Sequence, residues 1–269
     1  MLEMIINPKG ADKNPSKMFF IGLIYASLSF LLVEWLFMSD ATLSKFSGWM
    51  VVSFATIFAL PFMYYMIKRE EKEDEQIEGL FGIWKVHSDA VFAFLWLFLG
   101  FVVAFSLLNI IMQDSNIFNA QLETYFNVNG EHATGAITGG GALLGILQNN
   151  ISVMMIILLF SLIFGAGAIF ILAWNASVIA VAVGIFAKYQ LIQVPMGIAR
   201  YMIHGLPEIG AYFVTALAGG ILGVSIMRNE FRSKRFVRVA ENSILLVFVA
   251  IILLVVAALI EVYLTPVLF

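Results

Sequence analysis

The sequence predicts an all-α fold: a polytopic membrane helix bundle of six or seven transmembrane helices, one of them broken. Three observations predict it. The 269 residues are 61% hydrophobic and only 12% charged, with a mean hydropathy of +0.95, whereas an ordinary soluble domain is about one quarter charged. The apolar residues gather into seven stretches, six of which reach the roughly 20 residues that a helix needs to cross hydrocarbon. These stretches are continuous and lack the alternation of a barrel strand, so in lipid only a helix satisfies their backbone polar groups.

The stretches cover residues 18–38, 46–67, 90–112, 151–174, 176–187, 209–227 and 243–264. The first follows Lys9, Lys13 and Lys17 but is too long for a signal-peptide core and has no small-residue cleavage site, so it reads as a span. Pro61 is tolerable in the second as a membrane-helix kink. In the segment 113–150, Phe118, Leu122, Tyr125 and Phe126 recur at helical spacing over 117–128. This pattern predicts an interfacial helix lying on the membrane or over the bundle. Residues 134–145, with Gly139, Gly140 and Gly141, suit a lid or a close-packed helix start. The fifth stretch makes about 18 Å of helix, too short to cross alone. A broken helix is therefore expected, 176–187 and then 191–203 around Pro195, as at the binding sites of many transporters. Gly165, Gly167, Gly205, Gly219 and Gly223 are the expected packing glycines, the last two at GxxxG spacing. They permit close backbone approach, either within the chain or between copies.

Charge sets the expected orientation. Twelve of the fifteen Lys and Arg residues fall in the arm 1–17, the loop 68–89 and the loop before the last span, leaving Lys45, Lys188 and Arg200 on the other side. The segment 113–150 has none. The positive-inside rule then puts the N terminus in the cytoplasm of a multi-pass cell-membrane protein, with 113–150 extracytoplasmic. No soluble block remains, so 1–269 reads as a single membrane domain. The run Glu70 to Glu75 reads as a solvated helix extension and His87 and His132 as solvated loop residues.

Several chemistries are absent. There is no cysteine, which excludes disulfides, thiolate metal sites and cysteine nucleophiles. No Ser/His/Asp set, phosphate loop or cofactor fingerprint occurs, so no cofactor and no nucleic-acid partner are expected. The expected partners are the lipid bilayer, other proteins and further copies of the chain. The glycosylation patterns at Asn150 and Asn175 fall at or inside spans and read as chance, with Asn175 capping a helix at a cytoplasmic turn.

Ionisable groups inside spans are costly and usually functional. Glu34, Arg200, His204, Glu208 and Glu261 all fall at one depth, beneath the extracytoplasmic surface, and form the expected polar cluster. Arg200, His204 and Glu208 share a face if the helix continues through Pro207; a new helix starting near Leu206 is the alternative. The cluster reads as structural pairing, as a proton or cation site, or, most weakly, as a metal site of His204, Glu208 and Glu261. One His is thin for zinc, and HxxxE lacks the second His of HExxH. No metal is assigned.

The stretch His204-Gly205-Leu206-Pro207-Glu208-Ile209, then Ala218-Gly219-Gly220, then Ala257-Ala258-Leu259-Ile260-Glu261 with Thr265-Pro266, resembles the stage II sporulation protein M family. So do Asn149-Asn150, Gly165-Ala166-Gly167, Trp174-Asn175-Ala176 and the opening Met1-Leu2-Glu3 with Asn7-Pro8, particularly as in archaeal members. The family's HGxxE positions carry over as His204, Gly205 and Glu208, and its distal acid as Glu261. The resemblance implies a polytopic protein; sporulating members organise an envelope-remodelling hydrolase complex without being the hydrolase. The leading expectation is thus a non-enzymatic scaffold or assembly factor in membrane or envelope remodelling. A channel or secondary transporter using the carboxylate/His cluster is the alternative, and a metal-dependent membrane hydrolase a further one, an enzyme being the weaker expectation. A transporter requires a polar cavity that reaches the acids; a scaffold predicts a closed cluster.

Overall fold

Among the described residues seven helices are long and apolar enough to cross a membrane, and the chain is a multi-pass membrane protein. The computed structural model describes residues 15–74, 80–133, 139–164, 168–228 and 233–268. Residues 1–14 of the arm, Gly165 and Gly167, and the side chain of His132 lie outside the described part. Helices α1 (Lys17–Phe37), α2 (Ser47–Asp74) and α3 (Leu80–Ile111) cross first. A shorter α4 (Asn119–Ala133) follows, then the spans α5 (Gly139–Phe164), α6 (Ile169–Phe186) and α7 (Val194–Met227). The last span is α8 (Lys234–Leu259), prolonged by a π turn (Ile260–Leu264) into α9 (Thr265–Leu268). No strand occurs among the described residues.

The expected broken fifth helix is corrected to two whole spans. The apolar stretch 151–174 reads as one run, but the described helices are α5, to Phe164, and α6, from Ile169. The apolar stretch 151–174 therefore belongs to two helices. The interruption near 188 lies between spans: Lys188 and Tyr189 take left-handed φ of 49° and 55°, and Tyr189 N–H returns to the Gly184 carbonyl at 3.0 Å. Residues 194–203 open α7, with Pro195 in its first turn, where a missing N–H costs nothing. Helix α7 then continues through Pro207 unbroken.

Helix α7 is the centre of the bundle. It packs against α2, α3, α5, α6 and α8, and 89% of its apolar stretch is buried, against 22% for α5. A helix apolar on every side belongs inside. Its approach to α5 needs glycine. A Cβ on Gly219 would stand 2.7 Å from Ser161 Cβ and 2.9 Å from the Leu158 carbonyl oxygen, and one on Gly223 would stand 2.5 Å from the Leu162 carbonyl oxygen. The GxxxG pair thus packs within the chain. Gly205 makes no such approach, since a Cβ there meets only Met202 Cε of its own helix, at 3.3 Å.

Helix α4 lies over the bundle. Ser47 Oγ donates to the Ile117 carbonyl at 2.8 Å, and buried Gln121 Nε2 donates to the Gly48 carbonyl at 3.0 Å. A Cβ on Gly48 would strike the Gln121 side-chain amide, so glycine is what lets this clasp close. With Ile117 and Phe118 buried beneath it, the helix is seated by side chains and roofs the end of the bundle where α6 and α7 meet.

The opposite end, which carries the Arg228–Arg238 loop, corrects the reading of Glu70, Glu71 and His87 as solvated. Glu71 is fully buried and its Oε1 accepts from both Arg228 Nη1 at 2.7 Å and Arg235 Nη2 at 2.8 Å. Glu70 Oε2 lies 2.7 Å from His87 Nδ1, both side chains 1% exposed. These groups continue the core-facing stripes of their helices: Met63, Met66, Ile67, Glu70 and Glu71 are all buried on α2, as are His87, Ala90, Val91 and Phe94 on α3. The knot ties α2 to the start of α8 and α2 to α3.

Two outcomes follow from this packing. Gly219→Val should destabilise the protein by about 1–3 kcal/mol, while Gly205→Ala should cost nothing and can add up to about 1 kcal/mol of helix propensity; thermal unfolding in detergent compares them, and equal losses would contradict the α5–α7 contact. Glu71→Ala leaves two guanidinium groups facing each other without their acid and should cost about 3 kcal/mol. Unchanged resistance to SDS unfolding would show that the knot is not a structural tie.

Candidate solute-binding cavity

The helix period decides which side chains face the space under α4. On α6, Ile171, Trp174, Asn175, Val178, Ile179 and Ala182 form one stripe at three- and four-residue spacing, and all six line a cavity of about 410 Å³. Helix α4 contributes Thr124 and Tyr125, α5 contributes Asn149, Val153 and Ile156, α7 contributes Tyr201 and His204, and the π turn contributes Glu261. This volume is within the range of small-molecule sites, roughly 300–1,000 Å³. The wall is mostly apolar with a few converging polar groups.

Each polar group has a local reason for its place. Pro266 has no N–H to give the carbonyl one turn back, and the helix before it widens: Thr265 N–H reaches the Ile260 carbonyl across a π turn. Glu261 stands in that turn. The Thr265 hydroxyl donates to the same Ile260 carbonyl at 3.2 Å and lies 3.3 Å from His204 Nδ1. The hydroxyl thus joins the last span to His204 of the central helix. One turn further along α7, the Glu208 carboxylate accepts from buried Tyr212 at 3.0 Å. Glu261 and Asn150 both act electrostatically on Glu208. Asn149 Nδ2 donates to Asn150 Oδ1 at 3.1 Å, but Asn150 Nδ2 closes no hydrogen bond of good geometry. Tyr125 bonds to Tyr201 across the roof.

Of the expected cluster, His204, Glu208 and Glu261 come together. Arg200 stands at its margin, its guanidinium 5.2 Å from the centre of the Phe186 ring and its charge felt by His204. Glu34 is not brought in. It stands on α1, which packs on α2 and α3; it is neither in the cavity wall nor among the groups acting on Glu208, and its Oε2 has no hydrogen-bond partner. Equal depth in the bilayer did not mean lateral proximity. Among the described residues no group of three His, Asp or Glu side chains is placed to hold a metal ion.

Sequence reasoning missed Tyr125, Asn149, Trp174, Asn175 and Tyr201 as wall residues. Asn175 is no cap: it lies inside α6, its Nδ2 donating to the Ile171 carbonyl at 2.8 Å. Once α6 is placed at its true start, the stripe that holds Trp174 and Asn175 is readable from spacing alone. Trp174 stacks on Trp49 of α2, centroids 4.1 Å apart.

The model of the family described as Stage II sporulation protein M matches residues 90–266. The chain belongs to that family. The matched stretch holds every wall residue of the cavity and excludes Glu34, Glu70 and Glu71. An uncharacterized protein of Methanocaldococcus jannaschii is 31% identical over 126 residues, covering 45% of this chain and 69% of that one. No solved structure matches the chain. In this member of the stage II sporulation protein M family, the region shared with relatives is thus the region that builds the cavity.

The absence of cysteine makes the cavity directly testable. Val178→Cys, in the wall, should react with a small membrane-impermeant thiol reagent, and Ala180→Cys, buried off the stripe, should react at least about tenfold more slowly. Equal rates would mean that water does not enter the space.

Proposed function

We propose that the protein is a secondary carrier of the cell membrane that takes up a small solute from the extracytoplasmic side. The observation that carries this reading is the cavity that reaches His204 and Glu261. A scaffold has no need of one. Glu208 and Tyr212 continue the polar line inward from the cavity along α7, and carboxylates at such depth suit proton or cation coupling. The far end is closed by the Glu71–Arg228–Arg235 and Glu70–His87 contacts, as alternating access requires of the side not in use. The orientation rests on the twelve Lys and Arg residues, which put the N terminus and the charged knot in the cytoplasm and α4 outside.

The test is charge movement in proteoliposomes on a capacitive sensor, challenged with a panel of small amines, amino acids, carboxylates and sugars. At least one solute should evoke a current, and Glu208→Gln should reduce it at least about tenfold, since an uncoupled site loses the ionisable group it needs. Silence across the panel from correctly oriented protein, or an undiminished current in the variant, would reject the carrier reading.

A further inference from the structure

The chemistry of the cavity wall is one-sided. Among the described residues Glu261 is the one carboxylate in the wall, and no lysine or arginine of them lines it. Arg200, the nearest cation in sequence to the wall, lies over the Phe186 ring instead. Both wall amides turn a donor into the protein, Asn149 to Asn150 Oδ1 and Asn175 to the Ile171 carbonyl. Among the described residues their carbonyl oxygens take no protein donor, so each amide keeps its acceptor oxygen for an occupant, beside one remaining N–H. Three aromatic side chains, Tyr125, Trp174 and Tyr201, reach the same space from three helices. Ring faces carry negative potential and attract cations, more so away from water. Carboxylate, amide oxygens and aromatic rings together select positive charge. The rest of the wall, from Val153 to Ala182, is apolar and suits a carbon stem rather than a hydrated metal ion.

We propose that the cavity binds a small organic ammonium, with Glu261 as counter-ion and Tyr125, Trp174 and Tyr201 as its aromatic enclosure. The inference deepens the carrier reading and rests on the same cavity, but it needs only binding, not transport. The ammonium can belong to a free amine or to a lipid headgroup; the shared chemistry is the same.

The experiment uses the full chain in nanodiscs of phosphatidylglycerol, which has no ammonium group. Choline and its uncharged isostere 3,3-dimethylbutan-1-ol are titrated by ligand-observed NMR. Choline should bind about tenfold more tightly than the alcohol. Glu261→Gln should erase that preference, and Trp174→Leu should weaken choline more than the alcohol. Equal affinity for both probes in the wild type would overturn the charge class while leaving a binding cavity and the carrier reading intact. Binding of neither would overturn both. Should Glu261→Gln fail to fold, Trp174→Leu decides, and an unchanged preference in it would overturn the assignment. Repeating the titration in nanodiscs of phosphatidylcholine separates the sources. A fall in apparent choline affinity identifies the headgroup as occupant and unchanged affinity a free amine, and the ammonium class is supported by either.

Discussion

Over residues 209–225 helix α7 has almost no side left for lipid, and the rest of the bundle is arranged by that constraint. At about 1.5 Å per residue its 34 residues run some 50 Å, well beyond the hydrocarbon thickness of about 30 Å. Five other helices must therefore pack around it, and they approach closely because its inner half is rich in small residues. The Gly219–Gly223 contact with α5 fixes the separation at one end. At the other end the same helix carries Tyr201, His204 and Glu208, where its neighbours part and leave the cavity. One rigid element thus sets both the tightest contact and the largest space. Lipid exerts little hydrophobic pressure between helices, so such steric fit, with polar contacts, is what holds a membrane bundle together.

The two ends of the bundle solve the problem of polar groups in different ways. At the Arg228–Arg235 end, charges meet charges: one carboxylate oxygen of Glu71 serves two guanidinium groups, and Glu70 faces His87. Pairing at short range recovers part of the cost of desolvation, and loss of one partner exposes it in full. At the cavity end the groups are hydrogen-bonded mainly to neutral partners, His204 to Thr265 and Glu208 to Tyr212. An ion-paired end is stiff because every pair lost is expensive. A hydroxyl and amide network surrenders less when it rearranges, and it leaves Glu261 available to a visitor. The asymmetry is what the proposed carrier, open at one end and shut at the other, requires.

The fold class and the number of spans were legible because an apolar run of membrane length, free of alternation, has to be a helix in lipid. Positions were less legible. Hydropathy does not register a boundary inside one continuous apolar stretch, so the end of α5 at Phe164 and the start of α6 at Ile169 were lost, and with them the register of α6 and the place of Asn175. The acids on α7 and the π turn were found because charge within an apolar run is conspicuous. Glu34 was conspicuous for the same reason and was misplaced, since depth along a helix says nothing of which neighbour it faces. Glu70, Glu71 and His87 escaped for the opposite reason. They lie just beyond the apolar runs, where charge is ordinary, and only the continuation of the buried stripe from Met63, Met66 and Ile67 marks them as inward-facing.

The π turn shows how one residue type can be both a structural defect and a device. Proline near the end of a helix removes a donor and crowds the preceding carbonyl, and the helix must adjust around it. Here the turn widens, Thr265 contributes its N–H and its hydroxyl to one carbonyl, and the chain continues to Leu268. The extra residue in that turn rotates everything beyond it relative to α8. Thr265 is thereby turned towards His204, and the contact links the last span to the central helix at the rim of the cavity. Without the wider turn, the residues after Glu261 would fall about 100° away around the helix axis, and the hydroxyl that orients His204 would face elsewhere. The Thr-Pro pair is therefore less a terminator of the last span than the means by which that span takes part in the site.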